Sequence, residues 1–211
     1  MKGFWQTLKS EVRQAGYVMV HPFNGFWELK RERRVPYRNV AVILVLLIAV
    51  LTMSSQLTGF VVDMHDRTDF NFFFQITGVL LPFAIWCLSN WCITTLVDGE
   101  GSLRDIAVTT AYALLPVVVI DVPMVILSNI ITIEEVVFYQ IVHAAALLWS
   151  AFLLVIGIMT IHQFTLRKTF GTILIALLGM VIIVFLVLLF STLLQNMVNF
   201  IRLLIAEIGL R

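Results

Sequence analysis

Asp121 is the residue of this sequence best placed to do chemistry. It lies in Leu115-Pro116-Val117-Val118-Val119-Ile120-Asp121-Val122-Pro123, an otherwise apolar run with a proline on either side. An ionisable side chain at the centre of a membrane helix costs at least ~2.5 kcal/mol, so it needs a partner, a wet cavity or its own proton. Each proline removes one helix hydrogen bond and frees a carbonyl, so the segment is expected to kink there. Gln56, Gln75 and His143 fall at similar depth in other apolar runs, and His143 and Gln75 are the leading partners for the carboxyl group. Gln195, Asn196 and Asn199 lie toward the end of the last run. These side chains read either as a shallow polar vestibule or as interhelical hydrogen bonds worth roughly 0.6 kcal/mol each. The second reading is favoured, because no polar stripe continues to the opposite side.

Other chemistry is not signalled. There is no Gly-rich phosphate loop, no His-Glu-x-x-His pair and no Gly-x-Ser-x-Gly elbow. Cys87 and Cys92 are five apart and lie in an apolar run, and His21, His65, His143 and His162 are scattered over separate segments. Asp63, His65, Asp66 and Asp69 form a polar loop whose spacing fits a solvated connection better than a cation site. No cofactor, no metal and no enzymatic activity are expected.

The elements that must position these residues follow from composition. Of 211 residues, 60% are hydrophobic and 13% charged, where a soluble domain carries about 25% charged residues. That shortfall excludes a soluble enzyme, a disordered chain and a nucleic-acid binder. With a formal net charge of +1, no global field steers a charged partner. A helix crossing the ~30 Å hydrocarbon core needs about 20 apolar residues. Five runs qualify: Val40–Val62, Phe72–Leu96, Ile106–Ile131, Tyr139–Ile161 and Phe170–Phe200. The backbone must satisfy itself in lipid, and runs without alternation argue for helices. The expected architecture is therefore all-α: a polytopic integral membrane protein of five transmembrane helices, preceded by an N-terminal amphipathic helix. Residues 1–39 form the cytoplasmic amphipathic and juxtamembrane segment, and residues 40–211 the membrane domain.

Basic residues orient the spans. Lys2, Lys9, Arg13, Lys30, Arg31, Arg33, Arg34 and Arg38 precede the first; Arg104, Arg167 and Lys168 fall in turns on the same side. Only Arg67, Arg202 and Arg211 fall on the other. The positive-inside rule then places the N-terminus inside and the C-terminus outside. Trp86 and Trp91 fall toward the inner end of the second span, where an aromatic belt is expected.

On a helical wheel of residues 2–20, Phe4, Trp5, Leu8, Val12, Ala15 and Met19 share one face, and Lys2, Lys9 and Arg13 flank it. Such a helix lies in the membrane interface or packs on the ends of the spans. His21-Pro22 ends it, and Phe23-Asn24-Gly25-Phe26 reads as a turn. Lys30, Arg31, Arg33 and Arg34 form a basic cluster that fixes topology and attracts anionic lipid. Small residues mark helix contacts: Ala144, Ala145, Ala146, Ser150 and Gly157 on the fourth span, and Gly171, Ala176 and Gly179 on the fifth. The short turn at Arg167-Lys168 makes these two spans antiparallel neighbours.

Several segments carry a family resemblance: His21-Pro22-Phe23 before the first span, Val97-Asp98-Gly99-Glu100-Gly101-Ser102, Tyr112-Ala113-Leu114-Leu115-Pro116 entering the third, Ser128-Asn129 with Thr132-Ile133-Glu134-Glu135, and Met159-Thr160-Ile161-His162. In this order the chain resembles the Yip-type domain family of five-span membrane proteins, and its bacterial branch most closely. The marks carried over are Pro22, Asp98, Gly99, Tyr112 and Pro116. Eukaryotic members bind Rab-type GTPases. Their Asp-Leu-Tyr-Gly-Pro motif is absent here and Ala111 stands where a glycine is usual, so that role does not carry over. Bacterial members are often encoded beside carbohydrate ABC transporters. The resemblance thus implies an accessory or scaffold subunit in a bacterial cytoplasmic membrane. Its partners would be the bilayer and other membrane subunits, either sugar ABC transporter permeases or further copies of itself, and no nucleic acid. A small transporter or channel using Asp121 is the alternative.

Overall fold

A computed structural model describes residues 2–32, 37–57 and 71–209, with the side chains of 2–9, 32, 204 and 206–209 outside that description. The described residues fold into helices without a strand. In chain order these are α1 (Lys2–Val20), α2 (Pro22–Glu32), α3 (Tyr37–Leu57), α4 (Phe72–Leu96), α5 (Leu103–Ala113), α6 (Leu115–Leu127), a 3-10 turn (Ile133–Glu135), α7 (Val136–His162) and α8 (Leu166–Gly209). Among the described residues, five helical stretches are long and apolar enough to cross a membrane: α3, α4, α5 continued by α6, the 3-10 turn continued by α7, and α8. The protein is an all-α, multi-pass membrane protein. Arg33, Arg34, the side chains of Trp5 and Lys9, and the loop holding Asp63, His65, Asp66 and Asp69 lie outside the described residues.

Local chemistry sets the helix ends. Asn71 accepts a hydrogen bond from the Phe74 amide at 3.2 Å and caps α4. Ser102 and Asp105 form a reciprocal capping box at the start of α5, the serine hydroxyl accepting from the Asp105 amide at 3.3 Å and the carboxylate accepting from the Ser102 amide at 3.0 Å. Gln163 closes α7 in the left-handed conformation, at φ 54°.

The third span does break, at Leu114 between α5 and α6. Pro116 sits in the first turn of α6, where its missing amide is tolerated, and Pro123 lies in the helix interior. The ladder is interrupted at this point because Pro116 has no N–H to give the Tyr112 carbonyl, while Leu114 still donates to the Thr110 carbonyl at 3.3 Å.

One expected element is corrected. Phe23-Asn24-Gly25-Phe26 is not a turn: the chain bends only at His21, and α2 starts at once with Pro22 at its first position. Proline is favoured there by its fixed φ. Gly25 belongs to the helix because α1 crosses it: a Cβ at Gly25 would lie 2.7 Å from the Val18 Cα. Val18, Phe26 and Leu29 from this hairpin are buried against α3, α5 and α7. Each such side chain withdrawn from water contributes roughly 1.5–3 kcal/mol. A Cβ at Gly157 of α7 would collide with Thr109 and lie 3.2 Å from the Phe26 ring, so that glycine makes the seat for Phe26. Glu11 of α1 accepts from Arg38 of α3 at 2.8 Å.

As the short turn between them requires, α7 and α8 are neighbours, but α8 packs chiefly on α4. Ala176 is buried there, Ser89 of α4 donates to its carbonyl at 2.6 Å, and a side chain at Gly179 would strike the Ser89 hydroxyl. Gly171 faces open space, and Ala144 and Ala145 are exposed, while Ala146, Ser150 and Gly157 are buried as small contact residues. From 181 to 203 every residue of α8 is exposed or half-buried at most.

Candidate functional site

Among the described residues, two polar centres lie within the helix bundle. The first joins α6 to α7. Asp121 is buried and its Oδ1 lies 2.9 Å from His143 Nδ1. Either the imidazole N–H donates to the carboxylate or the carboxyl O–H donates to the imidazole; each ties the two helices together. Asp121 stands six residues before the end of α6, and His143 seven after the start of α7. At 1.5 Å per residue the pair is about 10 Å in from those ends, on the side away from α1 and α2. The second carboxyl oxygen, Oδ2, is buried without a partner among the described residues. Gln75 and Gln56 are half-buried and are not drawn into the pair. Gln195, Asn196 and Asn199 are exposed on α8, so the described residues assemble no outward vestibule from them.

The second centre was not foreseen. It lies at the opposite end, where α4, α5, α7 and α8 meet. Ser89, Asn90, Thr94, Thr109, Thr110, His162 and Thr172 are all buried there. Trp86 is also inside, not in an aromatic belt: its indole N–H donates to Thr110 Oγ1 at 3.1 Å, while Trp91 is exposed. Indole N–H groups seek such a partner when buried.

The loop between α4 and α5 folds around the imidazole of His162. The Gly101 amide donates to His162 Nδ1 at 3.2 Å, which puts the proton of the neutral ring on Nε2. A Cβ at Gly99 would lie 2.5 Å from Nδ1, and one at Gly101 2.7 Å from Cε1. Both glycines are therefore dictated by the ring they surround. Asp98 starts the loop at φ 56°, a left-handed conformation in which the Gly99 amide can donate to the Thr94 carbonyl at 2.8 Å. Phe164 stacks on His162 with centroids 5.3 Å apart, and Lys168 Nζ lies 4.1 Å above Phe164 and donates to the Val97 carbonyl at 2.8 Å. Nε2 of His162 and both polar atoms of the Asn90 amide are buried without a partner among the described residues.

Lys30 of α2 reaches this loop from outside and bonds Glu100 at 2.7 Å. That hydrogen bond, and then the charge of Lys30, hold the Glu100 carboxyl below the ordinary glutamate range. Arg104 of α5 lies 5.1 Å over the Tyr37 ring. Arg31 and Arg13 are exposed, and Pro22, Tyr112 and Pro116 serve the helix starts and the core rather than a polar centre.

Chemically, the Asp121–His143 pair can hold and pass a proton, and the His162 loop is a hydrogen-bonded clasp. Among the described residues no three His, Cys, Asp or Glu side chains converge on one point. A family model, that of the Yip1 domain, matches residues 16–195. No curated protein and no solved structure matches the chain.

Proposed function

We propose that this chain, which belongs to the Yip1 domain family, works without enzymatic activity as an accessory or scaffold subunit of a membrane complex, associated with a carbohydrate ABC transporter. The observation that carries this reading is the shape of α8. Its apolar stretch is the longest of the five, and beyond Gly179 and Met180 it runs clear of its own bundle. A helix packed on α4 at one end and free along the rest can present a face to another membrane protein. The orientation that goes with this role has the N-terminus inside a bacterial cytoplasmic membrane and the C-terminus outside. A reporter fused after Arg211 is then extracytoplasmic, and cytoplasmic activity there would overturn the orientation. Purification from native membranes with mass spectrometry tests the role itself: permease subunits should be recovered in fixed proportion. Recovery of the chain alone would overturn it.

A second reading, a small transporter or channel, draws on Asp121. It rests on the hydrogen bond of Asp121 to the half-exposed His143 and on an Oδ2 that has no partner among the described residues. On that reading Asp121→Asn folds normally but abolishes proton-coupled uptake into vesicles. Unaltered uptake would end it.

A further inference from the structure

A cavity of about 180 Å³ opens between α2 and α5. Leu29, Val108 and Ile161 form an apolar floor, and Lys30, Ser102, Arg104 and Asp105 its polar sides. A wider cleft of about 310 Å³, bounded by Trp27, Arg31 and Glu100, shares Lys30 and Asp105 with it. We propose that this combined cleft binds the phosphate-bearing headgroup of an anionic phospholipid.

Three observations lead there. The charged side chains around the two spaces are three cations, Lys30, Arg31 and Arg104, and two anions, Glu100 and Asp105. Asp105 is committed to the Ser102 amide and hydroxyl, at 3.0 and 2.7 Å. The place is also already an anion site: Lys30 holds the Glu100 carboxylate at 2.7 Å. The Lys30 side chain is only 22% exposed and Glu100 is 62% exposed, so the carboxylate can swing away while the ammonium stays. A phosphate oxygen arriving at Lys30 takes the position that Glu100 leaves, with the guanidinium of Arg31, and that of Arg104 held over the Tyr37 ring, on the same cleft to share its charge.

The third observation separates a lipid from a soluble phosphate. The cleft sits at the start of α5, which is also the start of the third apolar helical stretch, and the end of a spanning helix falls near the lipid headgroups. Its floor is apolar and suits the first carbons of an acyl chain. Trp27 stands at the mouth, 49% exposed, in the setting that favours tryptophan at a membrane interface. Glu100 is then the resident competitor of the headgroup, and the Lys30–Glu100 pair closes the cleft when no lipid is bound.

The test uses the full chain in nanodiscs of phosphatidylcholine with phosphatidylglycerol, and native mass spectrometry to count the lipid retained. Phosphatidylglycerol should be retained preferentially. Lys30→Ala and Arg104→Ala should each cut that retention about tenfold, the equivalent of one charge-assisted contact. Glu100→Gln, a change at a side chain 62% exposed that keeps a hydrogen-bond acceptor for Lys30, should raise it by about threefold or more, since the competing charge is gone. Equal retention of the two lipids, or no rise with Glu100→Gln, would overturn the site. Displacement of the lipid by millimolar glycerol phosphate would assign the cleft to a soluble phosphate compound and overturn the lipid.

Discussion

Asp121 and His143 tie α6 to α7 through one hydrogen bond, and among the described residues the other carboxyl oxygen has no partner. Asp121 is buried while the His143 side chain is 39% exposed, so removing the histidine strands the carboxyl group, and removing the carboxyl group loses the bond and its packing. Asp121→Leu is therefore expected to lower stability by on the order of 1–3 kcal/mol, read as unfolding in detergent. Asp121→Asn keeps size and hydrogen-bonding capacity and should stay close to the parent. The double variant Asp121→Leu/His143→Leu should lose less than the two single losses added, because nothing is left stranded. A fully stable Asp121→Leu would mean that the bond holds nothing. This pair was legible in the sequence because only a few polar residues interrupt long apolar runs, so counting residues along each run estimates depth. His162 was not legible in that way. A single histidine at a helix end reads as solvated, and its role rests on Gly99 and Gly101 arriving from a loop about sixty residues away with no side chain to exclude the ring. The spacing of those glycines was visible, but the object they enclose was not.

At the scale of elements, the Lys30–Glu100 contact fastens α2 to the loop that starts α5. Glu100 ionises below the ordinary glutamate range in the folded protein because Lys30 donates to it and carries the opposite charge. The contact is therefore at full strength above the ordinary range, near pH 4.3, and fades as the pH falls through the lower folded value. Hydrogen exchange, corrected for its intrinsic pH dependence, should show α2 and residues 97–102 losing protection in that interval. The change should be modest, since the pair faces solvent, and it should vanish in Glu100→Gln. Protection that stays flat through the interval in the parent would show that the contact fastens nothing. The elements themselves were largely readable: the run Phe72–Leu96 is α4 to the residue, and the wheel over residues 2–20 is α1. What failed was the reading of Asn24-Gly25 as a turn. Glycine is a turn residue by local propensity, but here the close crossing of Val18 demanded it inside a helix. Local signals report conformational freedom, whereas helix crossings are decided by partners distant in sequence. The same limit hid the packing of α8 on α4, of which the short connection to α7 says nothing.

For the whole molecule the unresolved quantity is a length. The 44 residues of α8 span about 66 Å at 1.5 Å per residue, roughly twice the ~30 Å hydrocarbon core. Lying the apolar part, Leu166–Leu203, wholly within that core would need a tilt near 60°, against an average of about 20° for membrane helices. Such a tilt conflicts with packing, because the first part of α8 is seated along α4 through Ser89, Ala176 and Gly179. The distal part must therefore leave the core, and there its exposed apolar side chains, among them Leu193, Met197, Phe200 and Leu203, need cover from something other than acyl chains. On the proposed scaffold role, a protein partner would supply it without tilting the helix. Photo-crosslinking groups placed singly from Val181 to Leu203 should trap a second polypeptide with the 3.6-residue period of one helix face, and the yield should persist past residue 193, beyond the start of α7 on the antiparallel alignment. Adducts with lipid alone at every position would show that the bilayer covers the helix and that the protein stands free.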